Sequence, residues 1–186
     1  CLVGSEMCIR DSLRGEYAPE LKELNVELPE IKDIPQFKFM EIKEIIAKEY
    51  NREFRNPNDL DPEEERLIGE YVMDKYGSPL VFVTHYPSKK RPFYAMDDPE
   101  NPKYTLSFDL LLNGAEVTTG GQRINDYQMQ LDKINARGMD ADEFKDFLMM
   151  HKYGMPPHGG LGIGLERLAM KLLGVDNIRT VTAFPR

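Results

Sequence analysis

Cysteine is nearly absent from this chain of 186 residues: Cys1 and Cys8, both close to its start, are the only two. A disulfide framework and a cysteine zinc site in the body of the chain are therefore excluded. Long apolar runs are missing as well. None approaches the roughly 18 residues that a membrane span needs, and no secretory signal is visible, so the sequence reads as cytoplasmic. Positive charge is in deficit, with 24 Lys and Arg against 32 Asp and Glu. The net charge of −8 argues against a generally basic nucleic-acid surface. Lys89-Lys90-Arg91 is a local exception that reads either as a basic patch or as a solvated loop. No serine-histidine-acid or cysteine-histidine arrangement occurs, and nothing suggests a covalent enzyme intermediate. His85 and His151 read as packing or surface residues, whereas His158 either anchors a loop or lines a site. There is no internal repeat and no low-complexity tract.

What is present describes an ordinary globular domain, 41% hydrophobic and 30% charged, long enough to bury a substantial core. Residues 1–12, CLVGSEMCIRDS, show no clear periodicity and resemble translated sequencing-adapter read-through. They are expected to be non-native. Residues 13–36 suggest a short helix and a connector, and residues 40–50 a helix with Ile42, Ile45 and Ile46 at helical spacing. A second helix opens with Asp61 as N-cap, Pro62 at its first position and Glu64 completing a capping box; Gly77 closes it. Its apolar face is Leu67, Ile68 and Tyr71.

Strands are expected over residues 80–86, 91–96, 104–112 and 115–119, with Asn113-Gly114 as the hairpin turn between the last two. Alternation puts Leu106, Phe108, Leu110 and Leu112 on one face, and Ser107 and Asp109 on the other. Helices are expected over 124–137, 140–153 and 165–173, the last burying Leu165, Leu168, Ala169 and Leu172. Antiparallel strands flanked by helices, without βαβ alternation, make this an α+β domain. A strand-like run lies directly before Arg186, and the chain is expected to be a fragment.

The most informative stretch is His158-Gly159-Gly160-Leu161-Gly162-Ile163-Gly164-Leu165-Glu166-Arg167. Four glycines run into an amphipathic helix with Glu166 and Arg167 on its first turn. Bare backbone accepts a flat ligand, a helix N-terminus attracts anions, and an arginine stacks on a purine or grips phosphate. The alternative is a tight structural turn. Asp109 and Glu116 lie across the hairpin, where two carboxylates repel unless a divalent cation such as magnesium neutralises them. A salt bridge to Arg123 or a lysine would serve as well. Arg123 has the fork geometry to grip a carboxylate ligand. For Glu116 and Thr119 to share a site, the strand must break or bulge near Gly120-Gly121.

These residues together resemble the C-terminal half of a class II aminoacyl-tRNA synthetase catalytic domain, with the likeness spanning about residues 35–186. It rests on Arg91-Pro92-Phe93-Tyr94-Ala95-Met96, Phe108-Asp109-Leu110 and Gly114 through Arg123. It continues in Tyr153 through Arg167, Asp176-Asn177-Ile178-Arg179 and Phe184-Pro185-Arg186. The likeness is to aspartyl-tRNA synthetases of the archaeal type, including the variety that charges both tRNA(Asp) and tRNA(Asn). On that resemblance the glycine stretch is motif 3, Gly164, Leu165, Glu166 and Arg167 line the ATP pocket, and Arg167 and Glu116 act in catalysis. Asp109, Glu116 and Thr119 would hold Mg2+ against the ATP phosphates. Thr119 and Arg123 would bind L-aspartate, with Arg123 reading its side chain.

The implied chemistry forms aspartyl-adenylate from aspartate and ATP, then passes the aspartyl group to tRNA, with no protein nucleophile. Motif 1, motif 2 and an anticodon-binding OB-fold are not visible in residues 13–186, so the piece alone is expected to be inactive and the complete protein a homodimer. Alternatives are an asparaginyl-tRNA synthetase, an aspartate–ammonia ligase using the same adenylate, or a non-catalytic module. A lysyl enzyme fits less well, because Arg123 would face a cation.

Overall fold

A computed structural model describes residues 2–31, 33–53 and 55–185, and for residues 2–7 the backbone alone. Cys1 and Arg186, both named above, lie outside the described residues. Helices α1 (Leu2–Glu16) and α2 (Ala18–Glu23) precede strand β1 (Gln36–Lys38) and helices α3 (Phe39–Tyr50) and α4 (Pro62–Tyr76). Strands β2 (Leu80–Thr84), β3 (Ser107–Leu112) and β4 (Ala115–Arg123) follow, then helices α5 (Tyr127–Ala136) and α6 (Lys145–Lys152), strand β5 (His158–Ile163) and helix α7 (Leu165–Leu173). One sheet runs β1-β2-β3-β4-β5, parallel between β1 and β2 and antiparallel elsewhere.

The pleat sorts the core. Val81, Val83 and Leu111 pack with Phe39, Ile42 and Ile46 of α3 and with Leu67, Ile68 and Val72 of α4. The opposite face offers Leu80, Leu110, Leu112 and Val117 to Leu168 of α7, with Ile9 of α1 alongside. Alternating side chains on buried strands thus present one apolar set to each helical layer. The α4 capping box forms as expected: Glu64 N–H donates to Asp61 Oδ1 and Asp61 N–H donates to Glu64 Oε2, both at 2.9 Å. The same Glu64 carboxylate also takes the Lys43 ammonium at 2.7 Å, with both side chains buried. That ion pair ties α3 to α4 and has no counterpart in the sequence pattern. At the hairpin tip, Asn113 and Gly114 both have positive φ, 46° and 69°, as a type I′ turn requires. A Cβ on Gly69 of α4 would lie 2.6 Å from the Gly114 backbone, so helix and hairpin meet with no side chain between them.

Residues 2–16 form helix α1, although residues 1–12 show no clear periodicity. Several expectations are corrected. Residues 91–96 are not a strand. They form a loop with an isolated bridge at Ala95, because Gln130 and Lys133 of α5 and Arg137 at its C-cap hydrogen-bond its carbonyls. The fourth strand does not stop at Thr119 but runs through Gly120 and Gly121 to Arg123. The glycine stretch is not a tight structural turn; its first six residues are strand β5, paired along β4 from Thr118↔Ile163 to Arg123↔His158. Leu165 is 71% exposed rather than buried; it sits on the first turn of α7, ahead of the point where the helix meets the sheet. The fifth helix starts at Tyr127, because Asp126 caps it by accepting from Met129 N–H. The sixth begins as a 3₁₀ turn, Ala141–Phe144. Among the described residues, 181–185 form no strand; the chain closes with a 3₁₀ turn at Ile178–Thr180. No helix among the described residues is long and apolar enough to cross a membrane.

Candidate nucleotide and amino-acid site

One extra residue in β4 assembles the site. Asp109 pairs with Thr119 and Leu110 with Thr118, but Leu111 pairs with Glu116, leaving Val117 as a bulge. Strict alternation would put Glu116 and Thr119 on opposite faces; the bulge shifts the parity and brings both to the face of Asp109. The required bulge therefore lies ahead of the glycine pair, not at it. Val117 turns into the core instead.

Asp109 does not pair with Arg123 or a lysine. Its Oδ2 accepts from Arg91 Nη2 at 2.7 Å, and Arg91 Nη1 donates to Thr119 Oγ1 at 2.8 Å. The Arg91 guanidinium also lies 3.9 Å from the centroid of the Tyr86 ring. Lys90 turns outward to pair with Asp59, so the basic triplet is neither a continuous patch nor a free loop.

Arg123 takes another place. Its guanidinium stands 5.0 Å from the centroid of the Tyr94 ring, and among the described residues no carboxylate pairs with it. It covers Gly160, where a Cβ would lie 2.5 Å from Arg123 Nη2. Along β5, Gly160 and Gly162 pair with Gly121 and Thr119, while Leu161 and Ile163 pair with Gly120 and Thr118. The glycines thus fall on the face of Thr119, and the apolar side chains on the other. The result is a floor of bare backbone at the side of a cavity of about 350 Å³, whose walls include Arg91, Tyr94, Thr119, Arg123, Gly160 and Gly162.

Glu116 and Arg167 lie outside those walls, farther along β4. Arg167 Nη1 donates to the Glu116 carbonyl oxygen at 3.1 Å and stands 3.7 Å from its carboxylate. Gly164 caps α7, with its N–H on Val117 O at 2.8 Å. Leu165 is exposed, and neither it nor Glu166 lines the cavity. Glu65 of α4, not among the expected site residues, accepts from Glu116 N–H at 3.1 Å. Burial lifts the Glu65 carboxyl to about 7, with the charges of Glu116 and Asp109 adding to the rise. Glu116 is raised for the same reasons, burial first and then the Asp109 charge, against the pull of Arg167 and Arg91. Burial and then Asp109 hold the Tyr86 hydroxyl well above its ordinary range.

The donor set fits a divalent cation in one specific way. Asp109 is 4% exposed, and its buried Oδ1 has no hydrogen-bond partner, so one anionic oxygen is left uncompensated. Glu116 supplies a second carboxylate and Thr119 a hydroxyl. No group of three or more acidic, histidine or cysteine side chains among the described residues gathers closely enough to cage a metal. Two carboxylates without a cage suit magnesium, which keeps waters and takes substrate phosphates as its remaining ligands.

Of the expected residues, Thr119, Arg123, Gly160 and Gly162 line the cavity; Asp109 is buried behind Thr119 on Arg91, and Glu116, Gly164 and Arg167 lie together outside it. Arg91 and Glu65 could not be singled out by local pattern, since their hydrogen-bond partners lie between 18 and 51 positions away in sequence.

Comparison with known proteins shows the family. Residues 9–186 match the family described as tRNA synthetases class II (D, K and N). The aspartate–tRNA(Asp/Asn) ligase of Thermus thermophilus is 49% identical over 154 residues, which is 83% of this chain and 36% of that protein. The aspartyl-tRNA synthetase of Entamoeba histolytica superposes with a TM-score of 0.81 at 33% identity, over 86% of this chain and 33% of that one. The asparaginyl-tRNA synthetase of the same organism gives a TM-score of 0.82 at 30% identity, over 96% and 41%. The chain therefore spans well under half the length of the proteins it matches.

Proposed function

Since the chain belongs to the class II tRNA synthetases of the D, K and N group, we propose that it forms the motif 3 side of the site of an aspartate–tRNA ligase. The observation that carries this reading is Arg123. It is a guanidinium on the cavity wall, steadied on Tyr94 and paired with no carboxylate among the described residues. Such a fork binds a side-chain carboxylate through two parallel hydrogen bonds, which an amide cannot reproduce and an ammonium repels.

In this reading Thr119 donates its hydroxyl to the amino acid beside Arg123. The purine lies on the bare backbone at Gly162, with Arg167, held at Glu116, placed to stack on it or grip phosphate. Asp109 and Glu116 would hold the divalent cation, which when bound screens phosphate charge. The aspartate α-carboxylate attacks the α-phosphorus of ATP and pyrophosphate leaves. A ribose hydroxyl of tRNA(Asp), or of tRNA(Asn) as well, then takes the aspartyl group and AMP leaves. Neither step needs a protein nucleophile; the residues act by positioning and by charge.

A second reading, an asparagine–tRNA ligase, is favoured by the likeness to the asparaginyl enzyme. Amino-acid-dependent ATP–pyrophosphate exchange by the complete protein that contains this chain separates the two. Aspartate is expected to drive exchange roughly a hundredfold better than asparagine, since an unmatched charged contact discriminates strongly. Equal or better exchange with asparagine would overturn the aspartate reading.

A further inference from the structure

Arg91 makes three contacts at once, and two of them are to residues that the aspartate-ligase reading places in the site. We propose that Arg91 is a positioning residue: one guanidinium fixes Thr119 toward the amino acid and withholds one Asp109 oxygen from the divalent cation. This inference rests on the proposed function for the identity of the amino acid.

The chemistry follows from what each group can donate. A guanidinium has donors only. Because Arg91 Nη1 donates to Thr119 Oγ1 at 2.8 Å, the threonine oxygen is already an acceptor there, and its own proton is left to donate elsewhere. Thr119 lines the cavity, so that proton is committed to an acceptor such as a carboxylate oxygen. At the same time Arg91 Nη2 occupies Asp109 Oδ2 at 2.7 Å, while Oδ1 has no partner. Of the two Asp109 oxygens, Oδ2 is thus neutralised by Arg91, and Oδ1, itself buried, is the one left for a cation.

Arg91 is itself held from two sides. Tyr86, buried in the core between the sheet and α3, stacks on its face at 3.9 Å. Behind it, α5 grips the loop: Arg137 donates to the carbonyls of Ser88 and Arg91, Lys133 to Ala95 O and Asp97, and Gln130 to Phe93 O. Gln130 and Lys133 stand at helical spacing on one face of α5, and Arg137 is its C-cap. The same grip places Tyr94, the platform under Arg123.

Two variants of the complete protein test this, with Mn2+ as the metal probe and calorimetry or electron paramagnetic resonance as the readout beside exchange kinetics. Arg91→Gln removes the charge. Mn2+ binding is expected to tighten on the order of tenfold, from the loss of a neighbouring cation in a partly buried site. The KM for aspartate is expected to rise about tenfold, with the lost orientation of Thr119. Arg91→Lys keeps the charge but cannot bridge two acceptors in a plane; Mn2+ affinity should stay native while the KM still rises. A merely structural role would weaken metal and amino acid together, and that result, or no change in either variant, overturns the proposal. If Arg91→Gln does not fold, the split in Arg91→Lys decides. Absence of aspartate-dependent exchange in the unmodified protein would defeat the ligase reading instead, and the Mn2+ comparison would still judge Arg91.

Discussion

Arg123 lies directly over Gly160. The strand that carries the glycines and the arginine that faces the cavity are in contact, with no room between them for a single methyl group: a Cβ there would stand 2.5 Å from Nη2 and 2.8 Å from the guanidinium carbon. Gly160→Ala must therefore push Arg123 off its Tyr94 platform. The expected outcome is a fall of about tenfold or more in aspartate affinity, the worth of a charge-assisted bidentate contact, with little change in melting temperature. Calorimetric titration of aspartate into the complete protein, alongside a thermal melt, checks both halves.

Gly162, two residues on, is a contrasting case. Nothing lies within 4 Å of a Cβ built on it, so Gly162→Ala should fold with native stability. The methyl would occupy the space that the purine takes in the proposed site. ATP affinity is expected to drop on the order of tenfold, a loss of about 1.4 kcal/mol, with the melting temperature unchanged. Unaltered ATP binding would place the purine elsewhere.

The buried pair Lys43–Glu64 predicts a stability effect far from the cavity. Lys43→Met leaves a buried carboxylate without its cation and should destabilise the chain by about 3–5 kcal/mol. Replacing both, Lys43→Met with Glu64→Met, should recover much of that, short of about 1 kcal/mol for the lost helix cap. Urea unfolding of the three proteins measures it; additive losses would contradict the pairing.

Glu65 predicts a pH effect. Its carboxyl is raised to about 7, chiefly by burial, so the folded state holds its proton more tightly than the unfolded chain does. The stabilisation this gives is fully present below the unfolded value near 4.5 and is lost as pH rises through 7. Glu65→Gln cannot titrate, and in metal-free buffer it should flatten the decline in melting temperature between pH 5 and pH 8. A parallel decline in both proteins would show that Glu65 is not its source.

Some of this was legible in the residues and some was not, for physical reasons. The α4 cap, the Asn113-Gly114 turn and the apolar faces of α3 and α4 are local, and spacing revealed them. Strand β5 alternates glycine with Leu161 and Ile163, but its many glycines mask that pattern, and its pairing with β4 shows that it is a strand. The bulge at Val117 follows from the need to bring Glu116 and Thr119 together, but its position depends on which residue the core accepts. The loop over 91–96 has the composition of a strand and is held out of the sheet by three side chains from α5 and its C-cap, more than thirty positions later. Arg91 itself sits in a charged triplet that reads as surface. Only the fold shows that its neighbour Lys90 pairs outward with Asp59, while Arg91 turns inward to Asp109.

The most direct measurement is a crystal structure of the complete protein with a non-hydrolysable sulfamoyl analogue of aspartyl-adenylate. The proposed site predicts the aspartyl carboxylate on Arg123, the Thr119 hydroxyl on the amino-acid portion, and the purine on the backbone at Gly162 beside Arg167. An analogue bound away from Arg123, or with its purine remote from the glycine strand, would contradict it.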